Sequence, residues 1–104
     1  MNDLKIVIDA GHGGDDPGAS GNGIIEKDLT LAISEYMYDL FRDAGVDVKM
    51  TRTTDETVSP TERVNRILEA YGNNSDVIVI SNHINAGGRV SKIVMDEIYW
   101  CITS

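Results

Sequence analysis

Apolar residues run almost unbroken through residues 4–10, LKIVIDA, with β-branched side chains among them. A short continuous run of this kind predicts a strand buried on both faces, as in parallel sheets. Residues 11–23 then hold six of the ten glycines and Pro17. They predict a long loop, and a long loop in a small domain usually serves function. From Glu26 onward, Leu29, Ile33, Tyr36, Met37, Leu40 and Ala44 recur at helical spacing, and Gly45 supplies the stop. Glu26 and Asp28 fall in the first turn, where the helix dipole favours acids. Residues 46–51, VDVKMT, alternate apolar and polar and predict a second strand. Ser59, Pro60 and Glu62 read as a helix start: an N-cap, a proline at the first helical position and the acid of a capping box. Val64, Ile67, Leu68 and Tyr71 make one face of that helix, which ends at Gly72. Residues 76–81, DVIVIS, predict a third buried strand.

The order strand, helix, strand, helix, strand predicts right-handed crossovers. The fold class expected is α/β: three layers, with a mainly parallel open sheet and helices on both faces. The cover of about one helix per face is thin. No linker or repeat divides residues 1–104. Residues 89–104 differ in character and hold the only Trp and the only Cys; DEIYWCI within them predicts a fourth strand.

Composition narrows the partners. The net charge is −8, from 17 acidic and 9 basic residues spread along the chain. Nucleic acid is excluded as the main partner, because phosphate binding needs clustered Lys and Arg. Cys101 is the single cysteine, so no intrachain disulfide forms and no oxidising compartment is required. No signal peptide is visible at the start, which leads to the expectation of a cytoplasmic product as synthesised. No run approaches the roughly 20 apolar residues of a membrane span.

Sites in open α/β sheets form at the carboxyl ends of strands. His12 follows the first predicted strand and His83 follows the third; they are the only histidines. Glu26 opens the helix after the glycine loop and lies near the same edge. Two imidazoles and a carboxylate form a zinc arrangement of the catalytic type, with the fourth tetrahedral position left for water. Each residue also has a plainer reading. Either histidine could bond a loop carbonyl, and Glu26 could be an ordinary first-turn acid. The glycine loop offers no phosphate cradle: it lacks G-x-G-x-x-G at a helix start and the G-x-x-x-x-G-K-[ST] pattern, and Asp15 and Asp16 would repel an anion. It offers no G-x-S-x-G nucleophile elbow either. Cys101 has no partner pattern and reads as a small hydrophobe.

Three blocks carry a family resemblance: IVIDAGHGGDDPGASGNGIIEKDLTLAI, VKMTRTTDETVSPTERVNRI and VIVISNHINAGG. Together they resemble the zinc-dependent N-acetylmuramoyl-L-alanine amidases, the cell-wall hydrolases of bacterial autolysins and phage endolysins. The resemblance implies one Zn²⁺ bound by His12, Glu26 and His83, and a twisted open sheet. It implies peptidoglycan as the substrate, cleaved at the amide between the lactyl group of N-acetylmuramic acid and L-alanine, after release of the protein to the wall. Asn85 is a candidate for binding substrate or orienting a ligand. The glycines around His12 would let the backbone turn sharply and leave room for a bulky glycan-peptide.

The resemblance also sets a departure. Family catalytic domains run longer, and their second half supplies a glutamate that acts as general base or acid. Glu97 corresponds to a strand after the third block, not to that residue. The expectation is therefore the N-terminal part of one amidase domain, incomplete at the C-terminus, with an exposed sheet edge and an exposed apolar face. The alternative reading is an inactive zinc-binding fragment that binds cell wall or a complementing C-terminal half.

Overall fold

The structure is a computed structural model that describes residues 4–84 apart from residue 74. Its elements, in chain order, are β1 (Lys5–Ala10), β2 (Ser20–Gly21), β3 (Ile24–Ile25), α1 (Glu26–Asp43), β4 (Asp47–Met50), α2 (Pro60–Tyr71) and β5 (Val77–Asn82). Asn85, the predicted fourth strand, Glu97 and Cys101 lie outside the described residues.

The main sheet has the order β4-β1-β5, and both pairings are parallel. β1 is thus the middle strand, which explains its almost unbroken apolar run: both faces are covered and every residue from Ile6 to Ala10, Asp9 included, is buried. Side chains alternate across it. Ile6 and Ile8 point one way and form the core with Ile80, against Met37, Tyr38 and Phe41 of α1. Asp9 points the other way, to Arg63 of α2. The two helices therefore cover opposite faces, giving the expected three layers. β4, an outer strand among the described residues, alternates exposed Asp47 and Lys49 with half-buried Val48 and Met50, so one of its faces meets the core and the other meets solvent. Among the described residues no helix is long and apolar enough to cross a membrane.

The helix ends follow their local chemistry. Ser59 Oγ accepts the Glu62 N–H at 3.1 Å, and Pro60 sits at the first position of α2. The Glu62 carboxylate of the expected capping box is engaged one turn on, by Arg66 Nε at 2.9 Å. α1 closes at Ala44, followed by Gly45 at φ 82°.

The helix faces depart from the periodicity. α1 buries Glu26, Thr30 and Ser34, with Met37, Tyr38 and Phe41 packed on the core below them. Of the face expected from spacing, Tyr36 is 66% exposed and Leu40 53%. The amino-terminal half of α1 lies over the polar carboxyl edge of the sheet, so its inward side chains are hydrogen-bonding ones. α2, by contrast, buries no residue fully, and Val64 and Leu68 are exposed. It docks largely through polar groups: Arg63, Arg66 to the Thr51 carbonyl (2.8 Å), and Lys49 to the Ala70 carbonyl (2.8 Å). The expected long loop after β1 contains a small antiparallel hairpin, β2-β3, that delivers the chain into α1.

Candidate metal centre

β1 and β5 are neighbours, with Ala10 paired to Asn82 in register. The ladder continues one step further, where Gly11 N–H donates to the Asn82 carbonyl at 3.1 Å. Each strand then delivers a histidine at the same edge, His12 two residues past β1 and His83 one residue past β5. Their rings lie edge to face, with centroids 5.1 Å apart. Glu26, the first residue of α1, reaches between them. Its Oε2 lies 3.0 Å from His12 Nε2 and 3.6 Å from His83 Nδ1. One donor atom from each of the three residues falls within 4.8 Å of the others. Two ligands of a tetrahedral zinc, each about 2.0–2.1 Å from the ion, stand roughly 3.3 Å apart. The donor set and its spacing fit a small divalent metal.

The supports around the three residues are extensive. Glu26 is only 4% exposed. Its Oε1 accepts the Ala19 N–H (2.9 Å) and its Oε2 the Ile84 N–H (2.7 Å), which aims the carboxylate and ties it to the residue after His83. Gly18, at φ +71°, passes so close that a Cβ there would stand 2.6 Å from Glu26 Oε1 and 2.7 Å from His12 Cδ2. His12 itself has φ 64°, an unusual left-handed conformation for a residue with a side chain. Two arginines hold the backbone in that shape. Arg52, buried, donates to the carbonyls of Ala10 (3.1 Å), Gly11 (3.0 Å) and Lys27 (3.0 Å). Arg63 donates to the carbonyls of Ala10 (2.8 Å) and His12 (3.0 Å) and to Asp9 Oδ1 (2.6 Å). Burial, and the nearby Arg63 charge, lower the pKa of the Arg52 guanidinium, which stays protonated at any ordinary pH. Asp9 also accepts from Thr51 Oγ1 (2.8 Å) and Ser81 Oγ (2.7 Å), so one buried carboxylate ties β1, β5, α2 and the start of the β4–α2 loop together.

This geometry and the sequence blocks point to one family. The profile described as N-acetylmuramoyl-L-alanine amidase matches residues 6–93. The chain belongs to the N-acetylmuramoyl-L-alanine amidase family. It is similar to the sporulation-specific N-acetylmuramoyl-L-alanine amidase of Bacillus subtilis, 42% identical over 82% of this chain and 32% of that protein. It is also similar to the N-acetylmuramoyl-L-alanine amidase CwlM of Bacillus licheniformis, 44% identical over 82% of this chain and 33% of that one. Among solved structures, the amidase AmiC2 of Nostoc punctiforme matches with a TM-score of 0.70 and 34% identity, over 80% of this chain and 44% of that chain. The chain thus spans about a third of the length of these curated amidases.

The carboxyl edge of the sheet brings together His12, Glu26 and His83, the three candidate ligands singled out from the sequence; Asn85 lies outside the described residues. The glycines beside His12 let the backbone turn sharply, as expected, with Gly13 at φ 129° and Gly14 at φ 58°, and they have a further part. Gly13 and Gly14 leave room for the protein's own β4–α2 loop: Cβ atoms on them would meet the Glu56 carbonyl at 2.4 Å and Thr57 Oγ1 at 2.3 Å. That loop clamps the glycines through Asp55 Oδ1 to Gly14 N–H (2.7 Å) and Thr57 Oγ1 to Asp15 N–H (2.8 Å). Lys27 bonds Asp55 (3.0 Å) and the Gly14 carbonyl (2.9 Å), and with the Gly14 N–H it holds the Asp55 carboxyl below the usual range. Sequence reasoning missed Asp16, whose Oδ2 lies 2.8 Å from His12 Nδ1. That contact is the main cause of the lowered pKa of its carboxyl. The available signal was a carboxylate four residues after a histidine across a glycine turn. It missed Arg52 and Arg63 as well, because a buried arginine and an exposed one look alike in a sequence pattern.

Proposed function

We propose that His12, Glu26 and His83 hold one zinc ion, and that the amidase domain to which these elements belong hydrolyses peptidoglycan. The bond assigned is the amide between the lactyl group of N-acetylmuramic acid and L-alanine of the stem peptide. The observation that carries this reading is the His-Glu-His donor set, on adjacent strand ends and a helix start, in a chain of the amidase family. Two neutral nitrogens and one carboxylate are a zinc donor set of the kind that leaves a position open for chemistry. Zinc bound there supplies Lewis acidity, acidifying a water and polarising the scissile carbonyl.

The chain's own residues supply placement. Glu26, fixed by the Ala19 and Ile84 N–H groups, spaces the two imidazoles. Arg52 and Arg63 hold the backbone that presents His12, and the Gly11–Asn82 bond keeps the two strand ends level. Among the described residues, the carboxylates placed at the histidines are Glu26 and Asp16, and both are engaged in holding His12. No general base is assigned to either.

Metal analysis tests the site: about one zinc per chain is expected, falling to background in His12→Ala and His83→Ala, and less than about 0.2 per chain would sink the assignment. The bond is tested on purified peptidoglycan. New L-alanine amino termini are expected; new reducing sugar ends without them would assign a different hydrolase.

A further inference from the structure

Asp16 stands outside the trio of donors, yet the loop builds it against one of them. Gly13 N–H donates to the Asp16 carbonyl at 2.8 Å and Asp16 N–H returns a bond to the Gly13 carbonyl at 3.0 Å, closing a tight turn. The turn carries the Asp16 side chain back to the imidazole four residues earlier. Its two oxygens are divided. Oδ1 accepts the Gly18 N–H at 3.2 Å, while Oδ2 lies 2.8 Å from His12 Nδ1. The other ring nitrogen, Nε2, faces Glu26 at 3.0 Å. A histidine can give a metal its Nε2 lone pair only when that nitrogen carries no proton, so the neutral ring must hold its proton at Nδ1.

We propose that Asp16 is a positioning residue for His12: it accepts the Nδ1 proton, selects the tautomer that frees Nε2, fixes the ring's rotation and strengthens it as a donor. The inference rests on the reading of His12, Glu26 and His83 as metal ligands. A carboxylate behind a liganding histidine acts in this way, and its removal costs about 10–100-fold in metal affinity. The rival account is a surface ion pair. The Asp16 side chain is 61% exposed, and exposed pairs contribute little to stability. The two accounts separate cleanly. A surface pair would leave zinc affinity unchanged, whereas a positioning residue changes affinity and tautomer while the metal-free fold stays intact.

The experiment uses the full chain as wild type, Asp16→Ala, Asp16→Asn and His12→Ala. Zinc is titrated against a chromophoric competitor, metal-free thermal melts are recorded, and the His12 Nδ1 proton is followed by NMR in the zinc-loaded protein. Asp16→Ala is expected to bind zinc about 10–100-fold more weakly than wild type, with Asp16→Asn between them, because its amide oxygen still accepts the proton. The metal-free melts should coincide, and the protected, downfield Nδ1 proton of wild type should vanish in Asp16→Ala. Zinc affinity of Asp16→Ala within about two-fold of wild type overturns the positioning role. So does a weaker affinity that only follows a lowered metal-free melt shared by Asp16→Asn. A wild type that takes up no zinc, or a His12→Ala that binds as tightly as wild type, overturns the ligand reading itself, and the inference falls with it.

Discussion

Removing the Arg63 guanidinium is the sharpest single test of what holds the His12 loop in place. Arg63→Ala takes away the donor to Asp9 Oδ1 at 2.6 Å, and the donors to the Ala10 and His12 carbonyls at 2.8 and 3.0 Å. The side chains of the ion pair are 15% and 5% exposed, so water cannot readily replace what is lost. Deleting one partner of a buried pair costs about 3–5 kcal/mol, chiefly by stranding the other charge. Two features argue for the lower end, about 3 kcal/mol. Thr51 and Ser81 hydroxyls still donate to Asp9, and the Arg52 guanidinium remains close enough to be electrostatically coupled to it. A domain of this size has about 5–15 kcal/mol in all, so the variant should fold but marginally. In urea, with metal removed from both proteins, a slope of about 2 kcal/mol/M turns that loss into a midpoint shift of about 1.5 M. Asp9→Asn combined with Arg63→Ala should be more stable than Arg63→Ala alone by about 1 kcal/mol or more, because no charge is then stranded. A single variant within about 1 kcal/mol of wild type, or a double variant no better than the single, would refute the reasoning.

Three further outcomes follow from the same geometry. Gly18→Ala should lose zinc binding by at least about ten-fold in a competition titration, since its left-handed backbone costs about 1–2 kcal/mol and its Cβ would push Glu26 and His12 apart; unchanged affinity would mean the loop yields freely. Glu56 is held below the usual glutamate range, first by its hydrogen bond with Arg66, so its contribution is present at neutral pH and lost as pH falls through the lowered value. Glu56→Gln should therefore be slightly less stable than wild type at pH 7 and equal to it in acid, by urea midpoints across pH; a constant gap at all pH would contradict this. Ser59→Ala should cost about 1 kcal/mol of stability through the lost cap on Glu62 N–H, and Ser59→Asp should restore most of it, read from the same midpoints.

Much of this protein was legible without coordinates because its strands and helix ends are local events. The apolar run of β1, the alternation of β4, and the Ser59-Pro60 start of α2 each depend on residues within a few positions of one another. The placement of His12 and His83 at one sheet edge also followed from element order alone, since parallel strands share their carboxyl ends. What the tertiary structure decided is which strands are neighbours and what each helix face meets. The order β4-β1-β5 sets the two histidines side by side, and no periodicity encodes that pairing. Over its first turns the inward face of α1 is Glu26, Thr30 and Ser34, because those turns cover a polar edge, and only further on do Met37, Tyr38 and Phe41 meet the core; a pattern of apolar spacing registers only burial against hydrocarbon. Arg52, Arg63 and Asp16 bond to backbone carbonyls, a carboxylate and a ring nitrogen on other segments of the chain or across a turn. Those contacts exist only once the chain has closed on itself, which is why the candidate ligands could be named from the sequence and their supports could not.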